Sequence, residues 1–204
     1  MPFARELMEQ DDKKMVIAAD RGVEACVKLG ITPDFIIGDF DSVSEEGKEY
    51  LSQYKGTVVS LNPVKDDTDT EAALHLAFHK TQGDIVILGG TGTRLDHVMG
   101  NISILKQGIA QGRKVLLMDP YNRIQMVKSQ LLIEKGEQFG KYVSVFPLDG
   151  RAEGVTLKGF FYPLDNATLE SDSSLGVSNE ITGEVGEIFV KSGLLLVIES
   201  RDEK

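Results

Sequence analysis

The sequence predicts an α/β fold in which an open, mostly parallel, doubly wound sheet with helices precedes an all-β sandwich. Before residue 122, short apolar segments alternate with helical patterns, and strands that alternate with helices pair in parallel. After residue 122 the helical patterns stop, and glycines separate short strand candidates, as in a small sandwich or barrel. We therefore expect two domains, residues 1–122 and residues 123–204.

Apolar segments and helix signals define the elements of the first domain. Its predicted strands are residues 15–19, 35–37, 57–61, 85–88 and 115–118. A first helix ends at Gly30, and a second begins with Thr68 and Glu71 at the spacing of a capping box and ends at Gly83. A third helix has one apolar face, formed by Leu95, Val98, Met99, Ile102, Leu105 and Ile109.

The second domain is predicted to contain only strands. These are residues 124–127, 131–134, 142–147, 152–157, 167–170, 188–190 and 194–199. The segment contains no internal repeat and no low-complexity linker.

The composition excludes several classes of protein. The 204 residues include 32 acidic and 22 basic side chains, and the resulting net charge of −10 disfavours binding to nucleic acid. The longest apolar run, residues 194–198, is far shorter than the roughly 18 residues of a membrane span. The single cysteine, Cys26, cannot form an internal disulfide, and with no secretion signal it indicates a cytoplasmic protein.

Acidic residues follow four of the predicted strands. Because the carboxyl ends of parallel strands face one crevice, where ligands bind, we expect these residues to lie together. The four segments are Asp20-Arg21-Gly22, residues 38–42 with Asp39 and Asp41, residues 65–69 with Asp66 and Asp69, and residues 89–97 with Asp96.

Clustered carboxylates need a compensating charge. Two carboxylates 4 Å apart repel each other by about 4 kcal/mol at an effective dielectric constant near 20. Mg²⁺ binds through a few carboxylates together with substrate phosphates, so this pattern favours a magnesium site. Without a metal, the pKa values of the carboxyl groups would rise instead.

Each motif also has a purely structural interpretation. Asp66, Asp67 and Thr68 are typical of a helix cap, and an Asp-x-Asp string is common in surface turns. Residues 89–92 are compatible with a plain turn, because they lack the Gly-Lys-Ser/Thr of a P-loop and the third glycine of Gly-x-Gly-x-x-Gly. Their N–H groups at a helix start are also suited to holding a phosphate.

Taken together, the motifs resemble those of the thiamine pyrophosphokinase family. The resemblance covers residues 15 to about 105 and rests on the order and spacing of Asp20-Arg21-Gly22 and of residues 33–42, 65–69 and 92–97. In the second half, residues 159–164 and 176–180 are similar to that family's thiamine-binding segments.

The resemblance implies transfer of a pyrophosphoryl group from ATP to the hydroxyl of thiamine, giving thiamine diphosphate and AMP. It implies an ATP-binding catalytic domain followed by a thiamine-binding sandwich, a bound Mg²⁺, and a homodimer with thiamine near the subunit contact. By matching positions, Asp20, Asp39, Asp41 and Asp69 would hold the metal. Asp39, Asp41, Asp66, Thr68, Asp69 and Asp96 would be catalytic. Asp20, Arg21, Gly22, Lys65, Gly90, Thr91, Gly92 and Arg94 would bind the nucleotide, and Tyr162, Ser178 and Asn179 would bind thiamine.

Two other functions remain open at this point. An Asp-x-Asp motif also occurs in metal-dependent phosphatases and nucleotidases, although Ser44 lies one position beyond the threonine that such enzymes usually carry. A catalytically impaired thiamine- or nucleotide-binding protein is the other alternative, because residues 1–14 lack the apolar strand and glycine pair with which family members usually begin.

Overall fold

A computed structural model describes residues 2–10, 14–62 and 67–203. Contacts between Cα atoms divide the chain into two compact units, Met1–Ile85 and Val86–Lys204, and each is considered by itself below. The predicted boundary after residue 122 stays a prediction. Among the described residues, the model has no helix with the length and apolar character that crossing a membrane requires.

The first unit contains a three-stranded parallel sheet and four helices. The strands β1, β2 and β3 pair in that order, with Ala18 opposite Ile36 and Ile36 opposite Val58. The strands are β1 (Ile17–Ala19), β2 (Phe35–Gly38) and β3 (Thr57–Ser60), and the helices are α1 (Pro2–Glu9), α2 (Gly22–Leu29), α3 (Glu45–Gln53) and α4 (Asp69–Lys80). The sequence patterns predicted the three strands, α2 and α4 but neither α1 nor α3.

A small apolar core holds α2 against the sheet of the first unit. Val23 and Cys26 of α2 pack with Ala18 of β1 and Ile36 of β2. As predicted, α2 ends at Gly30, whose φ of 68° is left-handed and allows its N–H to bond to carbonyls of the last turn. These contacts fix the start of α2, and with it the residues that follow β1.

The second unit is a β-sandwich with two helices. Its six-stranded sheet has the order β11-β8-β13-β6-β5-β4, and its four-stranded sheet the order β10-β9-β12-β7. The strands are β4 (Ile85–Leu88), β5 (Val115–Met118), β6 (Asn122–Val127), β7 (Gln130–Glu134), β8 (Tyr142–Pro147), β9 (Arg151–Lys158), β10 (Leu164–Glu170), β11 (Asn179–Glu180), β12 (Val185–Phe189) and β13 (Leu195–Ser200), and the helices are α5 (Leu95–Ile104) and α6 (Lys106–Ala110).

The sandwich encloses one continuous core. Val145 and Leu195 of the six-stranded sheet pack in it with Leu157 and Ile188 of the four-stranded sheet. The α/β fold followed by an antiparallel sandwich is therefore as the sequence predicts. The sequence predicts β4 and β5 as strands of the mostly parallel sheet of the first domain. In the structure they belong to the six-stranded sheet, where β5 pairs antiparallel with β6.

The apolar face predicted for residues 95–109 is only partly buried. Ile102 and Leu105 lie in the core, whereas Leu95 is 77% and Met99 60% exposed. The predicted single helix is also divided, because the N–H of Leu105 bonds to the carbonyl oxygen of Ile102 and tightens the last turn of α5.

Candidate active site

Three carboxylates of the first unit meet at the carboxyl ends of β1 and β2. One carboxylate oxygen from each of Asp20, Asp39 and Asp41 lies within 4.8 Å of the other two. Asp20 and Asp39 are half-buried, and Asp41 is exposed. The sequence argument predicted that acidic segments after four strands converge, and this group joins the segments after β1 and β2.

The backbone between the two strand ends explains the proximity of Asp20 to the β2 loop. The N–H of Asp20 donates to the carbonyl of Ile37 over 2.8 Å, directly after the last paired residues of β1 and β2. Asp20 has a φ of 44°, which turns the chain sharply out of the strand and into α2. At Gly38 a side chain would be crowded, because a Cβ atom would lie 3.2 Å from the Cα of Asp20.

The loop after β2 is organised by its own acidic side chains. Asp39 Oδ1 accepts a hydrogen bond of 3.2 Å from the N–H of Asp41, and the Ser42 hydroxyl donates to Asp41 Oδ1 over 2.7 Å. Phe40 has a φ of 63° and packs against the apolar core of the first unit. The loop thus anchors itself through Phe40 and presents the carboxylates on either side of it.

Among the three carboxylates of the cluster, Asp20 is the one whose ionised form is destabilised by its surroundings. Burial raises the pKa of its carboxyl, and the nearby carboxylates of Asp69, Asp39 and Asp41 raise it further, against a hydrogen bond from the Arg21 N–H. Its Oδ1 is buried and has no hydrogen-bond partner among the described residues. A buried carboxylate oxygen without a donor is stabilised by a cation, so the cluster has the donor set that a divalent metal ion requires.

The start of α4 brings a fourth carboxylate toward the cluster. Asp69 is the first residue of α4 and acts electrostatically on Asp20. Thr68 caps this helix, since its hydroxyl oxygen accepts a hydrogen bond of 3.2 Å from the N–H of Glu71. The capping interpretation of Thr68 is therefore confirmed, while the predictions for Lys65 and Asp66 fall outside the described residues.

Arg21 and Gly22 follow Asp20 at the start of α2. Both guanidinium contacts of Arg21 are made to Glu24, at 3.4 Å. Glu24 also accepts the Ser44 N–H over 3.1 Å, which ties α2 to the end of the acidic loop. This N–H bond and the Arg21 guanidinium lower the pKa of the Glu24 carboxyl. The sequence argument did not identify Glu24, because nothing local marks a contact with Ser44.

The predicted nucleotide-binding loop lies in the second unit, between β4 and α5. Gly90 is buried in it, and its carbonyl accepts a hydrogen bond of 2.9 Å from Asn101 Nδ2. Burial acts to raise the pKa of the Asp119 carboxyl, but the nearby Thr91 side chain and the N–H groups of Tyr121 and Asn122 lower it below its ordinary value.

Arg94 and Asp96 flank the first residue of α5 and pair with each other. Arg94 Nη2 lies 2.5 Å from Asp96 Oδ2, and Arg94 Nε lies 3.2 Å from Asp96 Oδ1. The guanidinium and, after it, the N–H of His97 lower the pKa of the Asp96 carboxyl to about 2. Both side chains are exposed, and a Cβ atom built on Gly92, between Thr91 and Arg94, would have no neighbour within 4 Å.

The residues predicted to bind thiamine cluster on one side of the sandwich. Tyr162 is 63% exposed and stacks edge-to-face on Phe161, with ring centroids 4.8 Å apart. Asn179 is buried, accepts the N–H of Tyr162 over 2.9 Å and donates to its carbonyl over 2.7 Å. Ser178 is exposed, with a φ of 55°, and its N–H donates to the hydroxyl oxygen of Ser144.

Comparison with known proteins identifies the relatives of this architecture. Residues 7–117 match the profile described as "Thiamin pyrophosphokinase, catalytic domain", and residues 128–195 match "Thiamin pyrophosphokinase, vitamin B1 binding domain". The chain belongs to the thiamin pyrophosphokinase family. The order of the two profiles follows the order in which the acidic cluster and the exposed aromatic pair occur in the chain.

Individual members of the thiamin pyrophosphokinase family agree with this assignment. The thiamine pyrophosphokinase of Bacillus subtilis (strain 168) is 35% identical over 193 residues, which are 94% of this chain and 90% of that protein. The crystal structure of the Bacillus subtilis enzyme superimposes with a TM-score of 0.89 at 34% identity, over 98% of this chain and 93% of that one. The crystal structure of the thiamin pyrophosphokinase of Geobacillus thermodenitrificans superimposes with a TM-score of 0.88 at 28% identity. The match covers 98% of this chain and 92% of that one.

Membership of the thiamin pyrophosphokinase family assigns the activity. The chain is an enzyme with thiamine pyrophosphokinase function, which makes thiamine diphosphate. This function implies ATP as the co-substrate. Neither the phosphatase nor the non-catalytic binding protein is favoured by the comparisons.

Proposed function

We propose that Asp20, Asp39 and Asp41 hold Mg²⁺ and the phosphates of ATP while a pyrophosphoryl group moves to the hydroxyl of thiamine. The observation that carries this proposal is the convergence of the three carboxylates within 4.8 Å, with one buried Asp20 oxygen lacking a hydrogen bond. Oxygen donors of this kind suit Mg²⁺. When bound, the ion supplies positive charge to the phosphate oxygens, whose negative charge grows in the transition state.

The reaction requires one bond to form and one to break. The thiamine hydroxyl oxygen attacks the β-phosphorus of ATP, the bond from that phosphorus to the oxygen of the α-phosphate breaks, and AMP leaves. The hydroxyl proton passes to a carboxylate, either Asp69 or Asp66. Asp69 is suited to this step because it is half-buried and close enough to act on Asp20.

The nucleotide is held by two further groups of residues. Arg21 and Gly22 at the start of α2, together with Lys65, supply cations and an N–H group for the phosphates. The loop with Gly90, Thr91 and Gly92 approaches the nucleotide through its backbone. Arg94 adds a guanidinium whose direction is set by Asp96, so Asp96 acts through Arg94. Thr68 positions Asp69 by capping α4.

Thiamine is recognised by the exposed aromatic pair of the sandwich. Its cationic ring stacks on Tyr162, a contact worth about 0.5–2 kcal/mol. Ser178, which precedes Asn179 in the chain, is exposed and offers its hydroxyl to thiamine. The amide of Asn179 is engaged on both sides by the Tyr162 backbone, so we assign Asn179 to holding Tyr162 in place.

The same side of the sandwich supports a homodimer. Leu175 and Val177, next to Ser178 in the chain, are 48% and 39% exposed, and Phe161 and Tyr162 are each 63% exposed. Exposed apolar side chains in this number mark a surface that a partner covers. Light scattering after gel filtration should give twice the chain mass, and Leu175→Glu should lower it to that of one chain.

The cytoplasm is the proposed location of the enzyme. Cys26 is free and buried, and ATP and Mg²⁺ are the substrates and ions of a reducing compartment.

Product analysis tests the proposed reaction. The protein is incubated with ATP, MgCl₂ and thiamine and followed by phosphorus-31 NMR, with EDTA and thiamine-free samples as controls. We expect AMP and thiamine diphosphate in equal amounts, only in the complete mixture. Orthophosphate released without thiamine would indicate a hydrolase, and binding of both ligands without turnover would indicate a non-catalytic protein.

A further inference from the structure

The loop between β4 and α5 is held from two sides by residues that the proposed site does not include. On one side, Asn101 of α5 is only 8% exposed and donates from Nδ2 to the carbonyl of Gly90 over 2.9 Å. On the other side, the Thr91 side chain lies near the carboxylate of Asp119, which directly follows β5, and lowers its pKa. The loop is therefore close both to the helix that follows it and to the neighbouring strand.

The packing around Gly90 leaves the loop little freedom on the Asn101 side. A Cβ atom at position 90 would lie 2.7 Å from Leu117 Cδ1 and 3.0 Å from Asn101 Nδ2. Leu117 is fully buried in β5. The carbonyl of Gly90 thus lies in a close-fitting space between α5 and β5, where the Asn101 amide sets its direction.

Asp119 is itself rigidly held. Its Oδ1 accepts the N–H groups of Tyr121 and Asn122, both over 2.7 Å, and Asn122 Nδ2 donates to both carboxylate oxygens over 3.1 Å. An ionised carboxylate only accepts hydrogen bonds, so the Thr91 hydroxyl can act toward Asp119 only as a donor, which leaves the lone pairs of its oxygen for a ligand.

We propose that Asn101 and Asp119 are positioning residues for nucleotide binding, which fix the β4–α5 loop in the shape that receives the phosphates of ATP. The proposal rests on the proposed role of Gly90, Thr91 and Gly92 in binding ATP. Neither side chain touches the nucleotide. Each acts through the loop, by removing conformations that would otherwise have to be lost when ATP binds.

The test compares Asn101→Ala, Asp119→Ala and Thr91→Val with the wild-type enzyme. Ser103→Ala is the matched control, because Ser103 is exposed on the same helix and donates only to the carbonyl of Met99. Thr91→Ser keeps the hydroxyl and serves as the rescue variant.

For each protein we measure the KM for ATP, the KM for thiamine, kcat and the thermal unfolding temperature. The Kd of α,β-methylene-ATP, which cannot undergo transfer, is measured by calorimetry.

We expect both the KM for ATP and the Kd of the analogue to rise about fivefold to tenfold in the Asn101, Asp119 and Thr91→Val variants. The KM for thiamine should change by less than about twofold, since the loop is proposed to bind ATP and not thiamine. Ser103→Ala should match the wild type, and Thr91→Ser, which keeps the hydroxyl, should weaken ATP binding less than Thr91→Val. A merely structural role would lower the unfolding temperature and leave both ATP constants unchanged, which would overturn the proposal.

Two further outcomes keep the test decisive. If Asn101→Ala or Asp119→Ala does not fold, Asn101→Leu decides, because leucine has nearly the same volume and lacks the amide that bonds to the Gly90 carbonyl; an unchanged Kd of the analogue in this variant would overturn the proposal. If the wild-type enzyme itself neither binds the analogue nor makes thiamine diphosphate, the proposed function fails and the inference fails with it. If the wild-type enzyme is active and the variants keep its ATP constants, only the inference fails and the proposed function stands.

Discussion

The backbone of Gly38 lies directly against the backbone of Asp20. A Cβ atom at position 38 would be 3.2 Å from both the Cα and the N atom of Asp20 and 3.3 Å from Cε1 of Phe40. A side chain at this position would crowd the ends of β1 and β2, which carry the acidic cluster, and they would have to separate by a few tenths of an ångström to admit it. Gly38 therefore sets the separation of Asp20 from Asp39 and Asp41.

Gly38→Ala should impair both the fold and the site. We expect a loss of about 1–3 kcal/mol in the free energy of unfolding, because an extra methyl group in a filled space forces the backbone to move. The Mg²⁺ concentration for half-maximal activity should rise as the carboxylates separate. Gly83→Ala is the control, since a Cβ atom there meets only the Thr81 hydroxyl oxygen, at 3.6 Å. Equal magnesium dependence of the two variants would refute the role of Gly38.

Asp20→Asn should stabilise the metal-free protein at neutral pH. The folded-state pKa of Asp20 is raised, so its contribution to stability is fully present below its ordinary value of 3.8 and is lost as pH rises through the folded value. An asparagine carries no charge and avoids this loss. In EDTA, the unfolding temperature of the variant should rise relative to that of the wild type as the pH increases from 4 to 7. In excess Mg²⁺ the order should reverse, and a variant that is less stable in EDTA would contradict this account of Asp20.

Asp96 should titrate far below an ordinary aspartate. Its pKa of about 2 depends first on the Arg94 guanidinium and then on the His97 N–H. Because this pKa is depressed, the contribution of Asp96 to stability is present above its ordinary value of 3.8 and is lost as pH falls toward 2. Carbon-13 NMR of the side-chain carboxyl measures this value directly. In Arg94→Gln the pKa should move back toward 3.8, and an Asp96 that already titrates there in the intact protein would disprove the pairing.

Asn179→Ala should affect thiamine more than ATP. The substitution leaves the N–H and carbonyl groups of Tyr162 without their partner, at a cost of about 1–3 kcal/mol in the free energy of unfolding. The displaced Tyr162 ring should raise the KM for thiamine, and Tyr162→Ala should raise it similarly. Tyr162→Phe, which keeps the ring, is the matched control. A KM for thiamine unaffected by Asn179→Ala would show that the two hydrogen bonds between Asn179 and the Tyr162 backbone do not position the ring.

Much of the first unit could be predicted from the sequence because its signals are local. Strands β1 and β2 end directly before Asp20 and Asp39, so parallel pairing alone brings these carboxylates together. Helix α3 was missed because the segment EEGKEYLSQ has no regular apolar period, and its packing against the core through Tyr50 and Leu51 is visible only in the structure.

The supporting contacts of the site could not be predicted in the same way. Asn101 donates to the carbonyl of Gly90, and Asp119 lies near the Thr91 side chain; both pairs join residues distant in the chain, and no spacing in the sequence marks them. The assignment of β4 and β5 to the six-stranded sheet likewise depends on pairing between distant strands. Local patterns thus located the strand ends that carry the chemistry, but the residues that hold the loops required the tertiary fold.

Binding of Mn²⁺, a paramagnetic substitute for Mg²⁺, tests the central claim most directly. Electron paramagnetic resonance titrations compare the wild type with Asp41→Asn, whose exposed side chain can change with an effect on stability within about 0.5 kcal/mol. Asp84→Asn, an equally exposed aspartate outside the cluster, is the control. We predict that the wild type and Asp84→Asn bind Mn²⁺ equally, while Asp41→Asn binds at least about tenfold more weakly and loses nearly all turnover. Equal Mn²⁺ binding by all three proteins would contradict a metal site at Asp20, Asp39 and Asp41.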